Sequence, residues 1–120
     1  MNYIDGFVTP VLAGKKDDYL AHAKLVAAIF KEYGALRVAE CWGDDVPEGK
    51  LTSFPIAVQR VDTEVVVFSW IEWPSKDVRD AGWPKVMADP RMAAFEQDMP
   101  FDGKRLIYGG FQMVLDVNGG

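Results

Sequence analysis

The stretch Val65-Val-Val-Phe-Ser-Trp-Ile-Glu-Trp73 decides how the rest of this chain is arranged. It consists almost entirely of β-branched and aromatic residues, contains no glycine or proline, and ends at the turn signal Pro74-Ser75, so it predicts a β-strand. Strand alternation places apolar residues on both faces. Both faces therefore need a covering layer, and we expect this strand in the centre of a sheet.

Length and composition predict one globular domain, residues 1–120, because 120 residues of which 49% are hydrophobic can bury a core without disulfides or metal. The only cysteine is Cys41, and the first residues lack the basic and apolar regions of a signal peptide, so we expect a cytoplasmic protein. No segment approaches the ~20 apolar residues of a membrane span. A formal net charge of −5 with scattered basic residues argues against a nucleic-acid partner.

Two main helices, one short helix and three more strands complete the predicted elements. The clearest helix runs from Lys15 to Tyr33, because apolar residues recur along it at spacings of three and four. A second begins after the N-cap Ser75 and runs through Val86. Asp89-Pro90 predicts the start of a short third helix containing Met92 and Phe95. The remaining strands are predicted from Tyr3 to Leu12, from Ala35 to Trp42 and from Arg105 to Val117.

Two places in the chain have no single interpretation. Residues 51–61 suit either a short helix capped by Ser53 or an extended edge segment, and both alternatives stay open. Gly109-Gly110, in the last predicted strand, indicates a bend, a bulge or a close approach of another group to the backbone.

The order strand, helix, strand, strand, helix, strand predicts an α+β fold of the ferredoxin-like class, an antiparallel βαββαβ sheet with its first and third strands central. The helices can cover only one face of that sheet. A second copy of the same sheet is the simplest cover for the other face, so we expect a homodimer that forms a dimeric α/β barrel. Its interface is predicted to contain Phe7, Phe68 and Trp70, which would otherwise face water.

Three separated motifs stand out along the chain: Glu40-Cys-Trp-Gly-Asp-Asp-Val-Pro47, Val67-Phe-Ser-Trp-Ile-Glu-Trp-Pro-Ser-Lys76 with Arg79-Asp80, and Met99-Pro-Phe-Asp-Gly-Lys-Arg-Leu-Ile-Tyr-Gly-Gly-Phe111. In this order they resemble the YbaA-like family of small uncharacterised bacterial proteins. The resemblance spans nearly the whole chain and implies the dimeric α/β-barrel superfamily. It offers no catalytic residues, although the wider superfamily includes cofactor-independent monooxygenases and haem-degrading enzymes.

No known catalytic motif is present, so the catalytic residues stay unknown and no cofactor or metal is expected. His22 is the only histidine and is interpreted as an exposed or helix-packing residue rather than a catalytic one. Cys41 has no basic neighbour that would favour a thiolate, and is interpreted as a small buried apolar residue rather than a nucleophile.

A candidate ligand site follows if the small residues Ile4 and Val8 share the helix-covered face with Val67 and Ile71. Aromatic and polar side chains then meet on the opposite face, where they suit a small, partly aromatic organic ligand between two sheets. The predicted ligand-binding residues are Tyr3, Asp5, Phe68, Trp70, Glu72, Tyr108 and Gln112.

Within this set, Asp5 or Glu72 is the candidate general base and Tyr108 the candidate donor. The alternative is a polar seam of the dimer interface, in which Arg37 or Arg105 pairs with these carboxylates. The functional alternatives are therefore a ligand-binding or monooxygenase-like barrel and a non-catalytic dimer with a regulatory or stress-related interaction.

Overall fold

A computed structural model describes residues 1–94 and 99–119 of the chain. Its centre is a four-stranded antiparallel sheet in the order β2-β3-β1-β4. The strands are β1 (Tyr3–Leu12), β2 (Arg37–Trp42), β3 (Glu64–Trp73) and β4 (Ile107–Gln112). The first and third strands are central, which confirms the predicted α+β, ferredoxin-like sheet. The apolar stretch that begins at Val65 forms most of β3 and pairs with both of its neighbours.

Two long helices pack on the sheet and two short ones connect its parts. The long helices are α1 (Lys16–Glu32) and α3 (Lys76–Ala88), and the short ones are α2 (Phe54–Ala57) and α4 (Pro90–Ala93). Ser75 caps α3 as predicted, because its side chain accepts a hydrogen bond from the backbone N–H of Val78. Asp89 caps α4 in the same way, with Pro90 following it. Phe95, predicted for that short helix, lies outside the described residues.

The two uncertain places are resolved by local hydrogen bonds and close contacts. Ser53 accepts a hydrogen bond from the N–H of Ile56 and starts α2, so the short-helix alternative is confirmed. At Gly110, an added Cβ would lie 2.5 Å from the hydroxyl oxygen of Tyr3. Because β4 pairs regularly with β1 there, the glycine permits a close approach rather than a bulge.

The last strand is shorter than predicted. The last pair of residues between β1 and β4 is Tyr3 with Gln112, after which the N–H of Met113 donates to the carbonyl of Asn2. Beyond that point β1 offers no further partner, so residues 113–119 contain no regular structure. Before β4, Arg105 forms ion pairs with Glu64 and Asp102 instead of joining the strand.

The register of β1 and β3 divides the sheet residues between two faces. Tyr3 lies opposite Trp73, Asp5 opposite Ile71, and Phe7 opposite Ser69. Ile71 and Trp73 pack with residues of α1 and α3, so this side is the helix-covered face. The other side, here called the open face, carries Ile4, Gly6, Val8, Phe68, Trp70 and Glu72, together with Ala39 and Cys41 of β2 and Ile107 and Phe111 of β4.

This register corrects the predicted faces of β1. We predicted that Tyr3, Asp5 and Phe7 share a face with Phe68, Trp70 and Glu72, and that prediction is wrong. Each strand alternates as expected, but the pairing places odd-numbered residues of β1 beside odd-numbered residues of β3. A displacement by one residue moves a whole set of side chains to the other face.

The contacts of Asp5 explain why this face of β1 lies toward the helices. Its carboxylate is buried and accepts hydrogen bonds from the indole N–H groups of Trp73 (2.9 Å) and Trp83 (2.8 Å). The guanidinium of Arg79 donates to it as well, at 2.8 Å from Nη2 to Oδ1. A buried carboxylate is tolerated when it is paired and fully hydrogen-bonded. The core around it is built from Ile29, Phe30, Ala35, Ile71, Trp73 and Val86.

The open face is only partly covered within the chain. The segment containing α2 lies against one end of it, where Val58 packs with Val8 and Val66 and the ring of Phe54 contacts that of Phe68. Phe68 remains 46% exposed and Phe111 61% exposed. Cys41 is exposed on this side too, so the prediction that it is buried is wrong. It lies on the edge strand β2, opposite Phe68, where none of the elements in residues 1–94 and 99–119 covers it.

Candidate functional site

A pocket of about 430 Å³ lies between the helix-covered face of the sheet and the helices α1 and α3. The segment from Met99 to Leu106 contributes one of its walls. Most of its lining is aromatic or aliphatic, which is typical of sites for small organic molecules. The apolar lining includes Phe7, Ala23, Val26, Ala27, Phe30, Val38, Ile71, Trp83, Met87, Met92, Met99, Phe101 and Leu106.

A small group of polar side chains also lines the pocket: Thr9, Tyr19, His22, Glu40 and Ser69. Glu40 of β2 lies directly opposite Ser69 of β3 in the register, and both point to the helix-covered face. Tyr19 reaches them from α1, where it belongs to the predicted apolar stripe of that helix. The Tyr19 hydroxyl donates a hydrogen bond of 2.6 Å to Oε1 of Glu40.

The environment changes the proton affinity of this group. Burial raises the pKa of the Glu40 carboxyl, while hydrogen bonds from Tyr19 and Ser69 oppose that rise. Burial, followed by the charge of Glu40 and the hydrogen bond to it, raises the pKa of Tyr19 far above its usual range. Tyr19 therefore stays a neutral phenol that donates to Glu40, and Glu40 is a carboxylate held in a largely apolar pocket.

His22 lies one helical turn after Tyr19 and also lines the pocket. It is partly buried, with its ring centroid 5.9 Å from that of Phe101. Burial lowers the pKa of His22, which favours the neutral imidazole at pH 7. This position agrees with the interpretation of His22 as a helix-packing residue, and it also makes His22 part of the pocket wall.

The arrangement of Tyr19, Glu40 and Ser69 can bind and orient a polar group of a ligand. A carboxylate in a poorly solvated pocket is a strong hydrogen-bond acceptor, and a raised pKa is typical of groups that take part in proton transfer. The aromatic walls supply stacking area for a ring. Perturbed carboxylates are enriched in functional sites, so this pocket is the best candidate site in the described part of the chain.

The predicted site residues are distributed differently. Asp5 has both carboxylate oxygens engaged by Trp73, Trp83 and Arg79, so it serves the core and not as an accessible base. Arg79, rather than the predicted Arg37 or Arg105, pairs with it. The ring of Tyr3 lies under the guanidinium of Arg79, 5.2 Å from its central carbon.

The other predicted residues lie on two sides of the sheet. Tyr108 and Gln112 lie on the helix-covered side of the edge strand β4, where both are exposed. Glu72 lies on the open face and accepts a hydrogen bond from Asn2. The predicted shared site of Asp5, Glu72 and Tyr108 is therefore wrong, because the register separates Glu72 from the other two.

The aromatic residues predicted for ligand binding or the interface are also divided. Phe68 and Trp70 lie together on the open face, with ring centroids 5.9 Å apart, and Arg37 lies over the Trp70 ring. Trp70 follows Ser69 in β3 and also borders the pocket. Phe7, predicted for the interface, lines the pocket instead and is excluded from the open face by its pairing with Ser69.

The sequence contains a signal for the polar group of the pocket that the prediction overlooked. Glu40 interrupts the apolar face of its strand between Val38 and Trp42, and Ser69 interrupts β3 between Val67 and Ile71. A polar residue on a face that must be buried needs a partner. Two such interruptions on neighbouring strands therefore indicate a common polar site.

The described residues lack both a metal-binding cluster and a helix that could span a membrane. Within residues 1–94 and 99–119, no three side chains of His, Cys, Asp or Glu come together as a metal site would require. None of the helices in the same part of the chain is both long and apolar enough to cross a membrane.

The fold and the pocket define a small α+β protein of the ferredoxin-like class with a cavity between its sheet and its helices. A solved structure with this fold is an uncharacterized NIPSNAP domain protein from Burkholderia xenovorans, with a TM-score of 0.62. The two sequences are 19% identical, and the match covers 97% of this chain and 98% of that one.

The chain belongs to the family described as "Protein of unknown function (DUF1428)", whose model matches residues 2–103. It is 59% identical over 116 residues to the uncharacterized protein YbaA of Escherichia coli strain K12, covering 97% of this chain and 99% of that protein. The YbaA of Shigella flexneri matches to the same extent. These matches confirm the resemblance to the YbaA-like family.

Proposed function

We propose that this protein is a homodimer that binds a small, partly aromatic organic molecule in the helix-side pocket of each protomer. The observation that carries the proposal is a pocket of about 430 Å³ whose apolar walls surround the hydrogen-bonded pair of Tyr19 and Glu40. Pockets of ~300–1,000 Å³ with a few convergent polar groups are typical of ligand sites. We therefore propose a ligand site between the sheet and the helices, whereas the sequence pattern predicted one between two sheets.

The place of Glu40 in this pocket is costly for the stability of the protein. The half-buried Glu40 carboxylate has lost part of its hydration, and its two hydrogen-bond donors only partly offset that loss, since its pKa is raised overall. A core optimised only for stability would place an apolar side chain there. A charged group retained against that penalty supports a binding role for the pocket.

The dimer is supported by the exposed aromatic residues of the open face. Phe68, Trp70 and Phe111 lie on one side of the sheet, and Phe68 and Phe111 are largely uncovered. Contiguous apolar patches of several hundred Å² are uncommon on soluble monomers. A second copy offers the same surface and the same twist, so the two open faces can pack together as predicted for a dimeric α/β barrel.

A pocket-filling variant tests ligand binding directly. Val26→Phe adds a ring inside the pocket, whereas Leu25→Phe places the same ring at a neighbouring, exposed position of α1. The probe is 1-naphthol, whose two fused rings match the aromatic walls, and binding is followed by titration calorimetry. We expect saturable binding to the native chain and to Leu25→Phe, and at least about tenfold weaker binding to Val26→Phe.

Native mass spectrometry of freshly purified protein, followed by denaturing extraction, complements the titration by detecting a molecule retained from the cell. Thermal unfolding of each variant verifies that it is folded before binding is compared. Unchanged affinity in a folded Val26→Phe variant, or a native chain that binds no probe, contradicts a ligand site in this pocket.

A further inference from the structure

We propose that the pocket selects uncharged aromatic molecules that carry a hydroxyl group, and that Glu40 accepts the hydrogen bond of that hydroxyl. This inference rests on the proposed function, because it names the ligand class of the same pocket. It follows from three properties of the pocket wall: its unused acceptor capacity, the absence of lysine and arginine among the described lining residues, and its aromatic surfaces.

The acceptor capacity is concentrated at one carboxylate. An ionised carboxylate has about four lone-pair positions and no proton to donate. Tyr19 occupies one position at Oε1, and Ser69 across the strand pair is a second donor. Glu40 can therefore accept a further hydrogen bond from a molecule in the pocket. The proton of Tyr19 is already directed to Glu40, so the ligand has to bring its own donor.

The charge of the lining disfavours ionised ligands. No lysine or arginine is among the described residues that line the pocket, and the carboxylate of Glu40 repels an anion. His22 is neutral at pH 7 because burial lowers its pKa, so it supplies no compensating charge. A cation would lose its hydration in a mainly apolar space with one counter-charge, which is costly. An uncharged hydroxyl group satisfies Glu40 without that penalty.

The remaining lining favours a ring next to the hydroxyl. Phe7, Phe30, Trp83 and Phe101 contribute aromatic surface around the polar group. Flat aromatic ligands pack well against such rings in offset or edge-to-face geometry. A hydroxyl-bearing bicyclic molecule therefore fits both the walls and the acceptor.

The test compares three probes that share the same ring system. 1-Naphthol carries the hydroxyl, 1-methoxynaphthalene lacks the donor, and 1-naphthoate is an anion. We expect the native chain to bind 1-naphthol about tenfold more tightly than 1-methoxynaphthalene, since a hydrogen bond to a charged acceptor is worth at least that factor. 1-Naphthoate should bind more weakly than either.

Glu40→Gln and Glu72→Gln form a matched pair of variants. Both exchange a carboxylate for an amide, but Glu72 lies on the open face of the sheet. We expect the preference for 1-naphthol to fall below about threefold in Glu40→Gln and to persist in Glu72→Gln. Equal binding of naphthol and methoxynaphthalene by the native chain, or a preference that survives in Glu40→Gln, overturns the role of Glu40 while the pocket stays a binding site. Failure of all probes to bind overturns the pocket itself.

A pH titration of the native chain keeps the inference testable if Glu40→Gln does not fold. The pKa of Glu40 is raised, so its protonation on acidification starts at a higher pH than for an ordinary glutamate, and the preference for 1-naphthol should fall there. The other titratable groups that face the pocket in the described chain are Tyr19 and His22, both on α1. If the preference for 1-naphthol also falls on acidification in His22→Gln, the titrating group is Glu40. If that fall is absent from His22→Gln, or if the preference of the native chain does not depend on pH, the inference is contradicted.

Discussion

Asp5 is the residue on which the helix-covered core most depends. Two indole N–H groups and the guanidinium of Arg79 all donate to its buried carboxylate. Asp5→Asn removes the charge and turns one acceptor oxygen into a donor that faces other donors. We expect a loss of about 2–3 kcal/mol in unfolding free energy, somewhat less than for a fully buried pair because Arg79 keeps some access to water.

Urea unfolding measures this change, read as a lower midpoint at constant slope. The control is Asp45→Asn in the exposed loop after β2, which should stay within about 0.5 kcal/mol of the native chain. Equal stabilities of the two variants would show that the carboxylate of Asp5 is not a structural anchor.

Glu40 is expected to lower the free energy of unfolding at neutral pH, because its carboxylate is partly desolvated in the pocket. Its pKa is raised in the folded state, so its charged form is less favourable there than in the unfolded chain. Stability from this group is therefore greatest below the ordinary pKa of glutamate and is lost as the pH rises through the raised pKa. Glu40→Gln should be more stable than the native chain at neutral pH.

The difference between the two chains should close as the pH falls towards the ordinary pKa of a glutamate. Chemical unfolding at a series of pH values measures it. A Glu40→Gln variant that is less stable than the native chain at neutral pH contradicts a desolvated carboxylate at this position.

At the scale of elements, the contact between α3 and the end of α1 depends on Gly82. A Cβ at this position would lie 2.6 Å from the carbonyl oxygen of Tyr33 and 2.7 Å from the ring of Trp73. Alanine favours a helix over glycine by about 1 kcal/mol. Here overpacking should outweigh that gain, and we expect Gly82→Ala to lower stability by about 1–2 kcal/mol.

Gly14→Ala is the matched control, because nothing lies within 4 Å of an added Cβ there. That variant should be neutral or slightly more stable, since alanine restricts the unfolded chain. Thermal unfolding of both variants decides the comparison. A rise in stability for Gly82→Ala would mean that α3 lies farther from Trp73.

The order and type of the main elements could be predicted from sequence because each has a strong local signal. The apolar stripe of α1, the caps at Ser75 and Asp89, and the β-branched run of β3 all act over short distances. The central position of β3 also follows from its two apolar faces.

The side of β1 that faces the helices could not be predicted in this way. Both faces of β1 contain apolar residues, so the sequence pattern does not decide which of them lies on the same side of the sheet as Ile71 and Trp73 of β3. The deciding contacts join Asp5 to Trp73, Arg79 and Trp83, which are 68 to 78 positions away in the chain. Local alternation carries no information about such partners. The site residues assigned from that phase are therefore divided between the two faces, and the pocket on the helix-covered side was not predicted.

At the scale of the whole molecule, the proposed dimer buries the open face. Each subunit would cover several hundred Å² of apolar surface, at roughly 25 cal/mol per Å². That gain outweighs the repulsion between two copies with a net charge of −5 each, because salt screens exposed charges. Trp70→Glu places a carboxylate in that face and should dissociate the dimer. Leu25→Glu puts the same charge on the exposed side of α1 and should not.

Light scattering after size exclusion reads out the assembly, with a dimer expected at about twice the chain mass of 13.4 kDa. A native chain that is monomeric at micromolar concentration, or a Trp70→Glu variant that is still a dimer of unchanged stability, contradicts the face-to-face arrangement.

Isotope-filtered NOE spectroscopy of the ¹³C-labelled chain with unlabelled 1-naphthol measures the location of the bound ligand most directly. Ring protons of the bound probe should show contacts to Phe30, Met87 and Phe101, which line the pocket beside Glu40. Contacts to Phe68 or Phe111 on the open face instead, or no intermolecular contacts at saturating probe, would contradict a ligand site between the sheet and its helices.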